Sequence, residues 1–304
     1  MGDIKLFRIN SSQVKELQGH SVAIEKSLQT LIERHLESFL GVRFLATEYS
    51  TGKTHAGRID TLGIDENNFP VIIEYKRSLN QNVINQGLYY LDWLLDHKAE
   101  FTLHAMKKFG KEIENQIDWT SPRLICIAGD FTKFDEHAIQ QINRNIQLIR
   151  YKKYEEDLFL FELVNATSIQ PITDVTPTLQ GVIKNQYKTV TEYLSQANKE
   201  LSDRYEALKA FLLALGDDVQ INVLKNYFAF KRIKNFACVE VHPQTEKILV
   251  YVKVDPDSIT LEDGFTRDVR NIGHFGTGSL EIKIGSDNDL VRAKQLLIES
   301  YELS

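Results

Sequence analysis

Apolar and polar residues alternate in two strand-like runs, residues 57–64 and 69–77, around a polar segment at 65–68 that has the composition of a turn. The pattern predicts a β-hairpin. Because strand side chains alternate between faces, Glu74 and Lys76 share one face of the second strand. That strand is apolar enough to be covered on both faces, where a carboxylate and an amine are costly unless they pair or hold a metal.

The remaining pattern of residues 1–165 predicts further helices and strands, which alternate along the chain. Helical spacing of apolar residues covers 21–40, 82–98, 100–117 and 134–146. Apolar strand-like runs cover 4–9, 42–49, 123–129, 146–151 and 158–164. This order predicts a mixed sheet flanked by helices, an α/β (α+β) fold.

A second domain is predicted after residues 166–180, which lack periodicity and carry two prolines, as a linker does. One or two helices within 181–215 come first. Strands at 226–232, 236–242 and 247–254 follow, and a helix at 288–303 ends the domain. The pattern predicts a smaller α+β domain over residues 181–304.

The composition is that of a globular protein, with 304 residues, 42% hydrophobic and 26% charged. Cys126 and Cys238 each lie in an apolar run, which favours buried free thiols in a reducing compartment. The N-terminus has no apolar signal core and no run reaches membrane-spanning length, so we expect a cytoplasmic protein without membrane partners. Because the net charge is −6, nucleic-acid contacts would have to come from local basic patches.

The hairpin is the candidate for chemistry. If it closes, Asp60 lies opposite the Glu74 region, and two carboxylates and Lys76 meet at one point. Hard oxygen ligands hold Mg²⁺ or Mn²⁺, and a lysine can position an attacking water or neutralise charge in the transition state. The residue types alone fit equally well with a structural Glu–Lys pair between sheet positions.

Asp60, followed after thirteen residues by Glu74-Tyr75-Lys76, resembles the D…(D/E)xK signature of the PD-(D/E)XK nuclease superfamily. Ile59 stands where the family has its proline. Downstream, the stretch from Gln86 to Tyr90 resembles the Q-x-x-x-Y motif of the RecB-like branch. The hairpin strands are most similar to those of NucS-like endonucleases, and the resemblance covers roughly residues 20–165.

The resemblance implies a restriction-endonuclease-like fold and a metal-dependent DNA endonuclease that hydrolyses phosphodiester bonds in repair or defence, on single-stranded or branched DNA. It implies catalytic roles for Asp60, Glu74, Lys76, Gln86 and Tyr90. Gln86 would bind a water or phosphate near the metal, and Tyr90 would orient the lysine or the substrate. The implied metal ligands are Asp60, Glu74, the carbonyl of Tyr75, and Glu25 of the first helix, with Glu33 as the alternative acid. Arg58 and Arg77 would contact substrate.

The second domain resembles an uncharacterised C-terminal domain that recurs behind such nucleases and is sometimes labelled a predicted transport protein. Its arginines and lysines, Lys231, Arg232, Arg267 and Arg270, are candidate phosphate contacts, although a solvated loop explains the glycine-rich stretch equally simply. The domain would dock nucleic acid or form a homodimer. Two alternatives stay open: a non-catalytic nucleic-acid-binding module, and a nuclease gated by a nucleotide-like ligand of this domain.

Overall fold

The computed structural model describes residues 4–10, 13–20, 26–52, 56–76, 83–167 and 189–304. Backbone contacts divide the chain into two compact units, Met1–Gln170 and Pro171–Ser304. The division falls inside the segment predicted as a linker. Each unit combines helices with a sheet, so the predicted α/β (α+β) class is confirmed.

The first unit contains a two-stranded antiparallel sheet and a seven-stranded mixed sheet. The small sheet pairs β1 (Leu6–Asn10) with β2 (Gln13–Leu17). The large sheet has these strands: β3 (Gly19–His20), β4 (Val42–Ser50), β5 (Arg58–Asp65), β6 (Pro70–Lys76), β7 (Arg123–Ala128), β8 (Asn145–Tyr154) and β9 (Leu158–Thr167). Their order is β3-β8-β7-β6-β5-β4, with β9 paired to β8. Strands β6, β7 and β8 run parallel, so the predicted hairpin has one strand at the centre of the sheet.

Within the part of this unit that the structure describes, five helices flank the sheet: α1 (Lys26–Arg34), α2 (Leu36–Leu40), α3 (Val83–Asp96), α4 (Lys98–Phe109) and α5 (Lys133–Gln140). Helix α3 lies over β6 and β7, where Leu91 and Leu94 join the core formed by Leu62, Ile72 and Leu124. That face of the sheet also carries the candidate site. The 3₁₀ turn Lys111–Asn115 follows α4.

Three helices are shorter than the sequence predicts. The helix predicted over 134–146 ends at Gln140, because Ile146 pairs with Leu124 in the parallel ladder and burial there overrides helical spacing. The helix predicted over 21–40 is interrupted at His35, between α1 and α2. The helix predicted over 100–117 stops before Gly110, whose φ of +94° cannot continue it.

The second unit is built on a six-stranded antiparallel sheet in the order β10-β11-β12-β13-β15-β14. Its strands are β10 (Gln220–Val223), β11 (Phe228–Lys231), β12 (Asn235–His242), β13 (Lys247–Val252), β14 (Thr266–Asp268) and β15 (Leu280–Ile284). The strands predicted over 236–242 and 247–254 pair as a hairpin, because His242 pairs with Lys247. Strands β10, β14 and β15 were not predicted from the sequence.

Helices α6 (Val190–Ser195), α7 (Lys199–Leu213) and α8 (Asp287–Glu302) cover one face of this second sheet. Val239, Val250 and Ile282 point into the core between sheet and helices, where they meet Leu208 and Leu297. Short 3₁₀ turns occur at Pro243–Thr245 and Pro256–Ser258. Among the helices that the structure describes in either unit, none combines the length and apolar character needed to cross a membrane.

Candidate functional site

Strands β5 and β6 bring Asp60 and Glu74 together. Their antiparallel register pairs Thr61 with Ile73, so Asp60 faces Glu74 one position further along. The backbone N–H of Asp60 donates to Glu74 Oε1 at 3.1 Å, and the backbone N–H of Tyr75 donates to Asp60 Oδ2 at 3.0 Å. Each carboxylate is thus held by the main chain of the other strand, and the predicted proximity of the two acids is confirmed.

Glu74 lies in an environment that opposes its ionisation. Its exposed fraction is 1%, and burial together with the charge of Asp60 raises the pKa of Glu74 to about 9, although the N–H of Asp60 acts in the opposite direction. No cation of the described residues forms an ion pair with Glu74. At neutral pH the protein alone therefore keeps this carboxyl protonated.

Helix α3 presents Gln86 to the acidic pair. Gln86 Nε2 donates to Glu74 Oε2 at 3.1 Å, so the two oxygens of Glu74 accept from two different elements. The glutamine was expected to approach the metal region, and it contacts one of the two proposed ligands directly.

Tyr90, one turn further along α3, does not reach the lysine that it was expected to orient. Its hydroxyl accepts the backbone N–H of Arg58 at 3.1 Å. A Cβ at Gly57 would lie 2.5 Å from Tyr90 Cε1, so the tyrosine ring requires glycine there. Tyr90 therefore fastens the start of β5 to α3.

Lys76 projects from the same face of β6 as Glu74 and forms its ion pair elsewhere. Its side chain is 4% exposed, and Nζ lies 3.5 Å from Asp135 Oδ2 and 5.8 Å from the centre of the Phe131 ring. Asp135 was not identified from the sequence. It belongs to a capping box at the start of α5, in which Thr132 and Asp135 exchange hydrogen bonds, and the T-x-x-D spacing is a signal that would have placed it at a helix terminus.

The surroundings keep Asp135 ionised. Burial acts to raise the pKa of Asp135, but hydrogen bonds from Thr132 and the charge of Lys76 outweigh it and hold the pKa below its usual range. The ammonium of Lys76 is therefore held by an ionised carboxylate.

Of the two acids that the resemblance implies for the first helix, Glu25 lies outside the described residues. Glu33 accepts hydrogen bonds from Thr61 Oγ1 at 2.6 Å and Gln29 Nε2 at 3.1 Å. Thr61 follows Asp60 on the strand and points to the other face, so Glu33 does not join Asp60 and Glu74.

The two other residues expected around the pair differ in what the structure shows of them. The hydroxyl of Tyr75 lies 3.5 Å from Thr61 Oγ1, on the face away from Glu74, while its N–H contributes to the site. Arg58 is 65% exposed and forms an ion pair with Glu48 at 3.2 Å. Arg77 lies outside the described residues.

Asp60 and Glu74 fit a divalent cation by the chemistry of their donor atoms. Both offer hard carboxylate oxygens. Burial and the charge of Asp60 oppose the ionisation of Glu74, and a cation bound nearby would favour the ionised form. The ammonium of Lys76 does not neutralise Glu74, because it forms an ion pair with Asp135. Within the described residues no group of three or more His, Cys, Asp or Glu side chains is arranged to bind a metal.

The candidate phosphate contacts of the second unit are not gathered into one cradle. Lys231 is buried, and Arg232 forms an ion pair with Asp218 at 2.7 Å. Arg270 is held by two carboxylates, Asp257 at 2.7 Å and Asp268 at 2.8 Å. Arg270 therefore does not form the phosphate cradle expected from the glycine-rich stretch, because the neighbouring aspartates already neutralise its charge.

Comparison with known proteins finds a similarity within the second unit. The model of a domain of unknown function (DUF5655) matches residues 190–304. The whole chain is similar to an uncharacterised protein of Haemophilus influenzae, 28% identical over 306 residues that cover 98% of this chain and 100% of that protein. No solved structure matches.

Proposed function

We propose that the first unit is a metal-dependent DNA endonuclease of the PD-(D/E)XK type. The observation that carries the proposal is the pair of carboxylates of Asp60 and Glu74, fixed across β5 and β6, with Gln86 hydrogen-bonded to Glu74. Lys76 projects on the same face. Hydrogen bonds thus link Asp60, Glu74 and Gln86 beside a central strand, and Lys76 lies two residues beyond Glu74 on that strand.

Asp60 and Glu74 would hold Mg²⁺ or Mn²⁺, with the carbonyl of Tyr75 and Glu25 as further ligands that the resemblance implies. Bound there, the metal would polarise the phosphoryl oxygen and lower the pKa of a water. Gln86 keeps the carboxylate of Glu74 oriented through its hydrogen bond to Oε2.

Lys76 supplies the positive charge of the proposed site. Its stem lies in the core, beside Phe131, and the ion pair with Asp135 fixes the position of Nζ. A fixed ammonium stabilises negative charge that develops on a phosphoryl group without reorganising during the reaction. It can also orient the attacking water.

The experiment is cleavage of labelled single-stranded, duplex, flapped and mismatched DNA with Mn²⁺ or Mg²⁺. Glu74→Gln keeps the shape of Glu74 but removes its charge and one of its two acceptor oxygens, and we expect cleavage to fall by at least about 100-fold. Asp60→Asn and Lys76→Met should do the same. Glu114→Gln, at an exposed position of the same unit, is the matched control and should cleave like the parent. Full activity of a folded Glu74→Gln protein would contradict the proposal.

A non-catalytic nucleic-acid-binding module is the second candidate. The observation that favours it is the ion pair of Lys76, whose side chain is 4% exposed and held by Asp135 rather than presented to solvent. The same DNA panel separates the candidates. DNA binding without cleavage in either metal, unchanged by Asp60→Asn and Lys76→Met, would favour the binding module.

A further inference from the structure

The sheet of the second unit has one face that the helices leave uncovered. Residues that alternate with its core positions point to this face, and the register places them side by side across four strands. His242 pairs with Lys247, Leu249 with Lys283, and Glu281 with Arg267. The side chains of His242, Lys247, Lys283 and Arg267 therefore lie on the same face of the sheet as Leu249, distributed over four neighbouring strands.

This face is concave. A cavity of about 420 Å³ opens over it, which lies within the usual range for small-molecule sites. Its floor is formed by His242, Lys247, Leu249, Arg267, Glu281 and Lys283. The segment 263–266 forms a wall, in which Gly264 has a φ of +77° and leaves room beside Lys283 Nζ, 3.9 Å from where a Cβ would stand.

The cavity holds two lysine side chains without an acidic partner. Lys247 and Lys283 are half-buried, and neither ammonium group has an ion-pair or hydrogen-bond partner among the residues that the structure describes. Arg267 uses one terminal nitrogen on Glu281 at 2.6 Å, and its side chain stays 55% exposed. The acids on this face have other partners or positions: Glu281 pairs with this arginine, Glu240 lies opposite Leu249 and contacts His242 at 2.9 Å, and Asp263 is exposed at the rim.

Like charges on neighbouring strands oppose one another, and half-burial increases that repulsion. Elsewhere in the same unit the arginines are compensated, as Arg270 is by Asp257 and Asp268. The two lysines of the cavity have no such acidic partner among the described residues, and an anion bound between them would remove the repulsion.

We propose that this cavity binds a small phosphate-bearing molecule. Its phosphate would lie between Lys247, Lys283 and the unused donors of Arg267, and its uncharged part would rest on Leu249. Arginine binds phosphate through two parallel N–H donors and lysine as a compact charge, so the set suits phosphate. These cations gather around one cavity rather than along a stripe, which favours a small molecule over a nucleic-acid backbone.

The test is calorimetric titration of the full-length chain with pyrophosphate and with ATP, both in EDTA so that the acidic pair of the first unit holds no metal. We expect binding at one site per chain. The double variant Lys247→Ala/Lys283→Ala should weaken it by about tenfold or more. The control, Lys199→Ala/Lys294→Ala, removes two exposed lysines from helices α7 and α8, on the other side of the sheet, and should bind like the parent.

If neither pyrophosphate nor ATP binds, the proposal is overturned. It is also overturned if the two double variants lose the same amount of affinity. Binding of single-stranded or duplex DNA that only the cavity variant loses, without pyrophosphate or ATP binding, would also overturn it and assign the cavity to nucleic acid. Circular dichroism of both variants establishes that the fold is retained.

Discussion

Glu74 and Asp65 are both about 1% exposed, but they differ in the groups that surround the carboxylate. Asp65 accepts backbone N–H groups from Asn67 and Phe69 and forms an ion pair with Arg123 at 2.8 Å. Glu74 has one backbone N–H, one amide and a second acid beside it. A buried acid with a matched cation is structural, whereas one without a cation is the expected signature of a ligand-binding position.

This difference has a consequence for stability against pH. Because the pKa of Glu74 is raised to about 9 in the folded protein, its contribution is fully present below the unfolded value near 4.5 and is lost as pH rises through about 9. Glu74→Gln cannot ionise, so without metal it should become more stable than the parent, by about 1–3 kcal/mol at about pH 8, and by less at about pH 5.

Urea unfolding in EDTA at both pH values measures this difference. Glu114→Gln, an exposed position in the same unit, should follow the pH dependence of the parent. If the stability difference between Glu74→Gln and the parent is the same at both pH values, Glu74 ionises freely and the electrostatic account of the site is wrong.

At the scale of elements, the site depends on how closely α3 approaches the sheet. Gly87 lies on the buried side of this helix, and a Cβ there would stand 2.5 Å from Leu124 Cδ1 on β7. Gly57 makes the corresponding close approach beneath Tyr90. Two glycines, one in α3 and one before β5, thus set the distance at which Gln86 reaches Glu74.

Gly87→Ala should therefore destabilise the first unit, although alanine by itself favours a helix. We expect a loss of about 1–3 kcal/mol, because overpacking against Leu124 outweighs a gain of about 1 kcal/mol in helix propensity. Denaturant unfolding measures it. The control is Gly273→Ala, where a Cβ meets nothing within 4 Å, and its stability should stay within about 0.5 kcal/mol of the parent. An unchanged Gly87→Ala midpoint would show that α3 can move away at little cost.

At the scale of the whole molecule, the two units have separate cores and separate sheets. The second unit buries Phe230, Val250 and Leu297 between its sheet and three helices, and its helix α8 is capped at Ser286 by a capping box. A unit with its own core and capped helices is expected to fold alone.

Residues 189–304 expressed alone should therefore unfold in one cooperative transition. Calorimetry of this fragment beside the full-length chain checks it, with agreement between calorimetric and van't Hoff enthalpies as the criterion. A gradual transition, or exposure of apolar surface to a dye, would show that the second unit needs the first.

Local periodicity predicted much of the fold, but it failed where pairing with neighbouring strands determines the secondary structure. The hairpin strands and the helix over 82–98 were placed nearly as the structure has them. The short strand β14 gave no signal because three residues contain too little alternation, and its pairing with β15 depends on chain segments 12–16 positions away.

The sequence by itself determined that Asp60, Glu74 and Lys76 share one region of a hairpin, and that Gln86 and Tyr90 share one face of a helix. Both results follow from backbone geometry, in which side chains repeat every two residues on a strand and every 3.6 on a helix.

Only the tertiary structure determined which charged side chains contact one another. Lys76 forms its ion pair with Asp135, 59 residues away, and Glu33 contacts Thr61 rather than the acidic pair. Lys247 and Lys283 come to line one cavity because β13 and β15 are neighbours in the sheet. The order of the strands in the sheet, and the burial that follows from it, determine which residues become partners. Local periodicity predicts neither the strand order nor this burial.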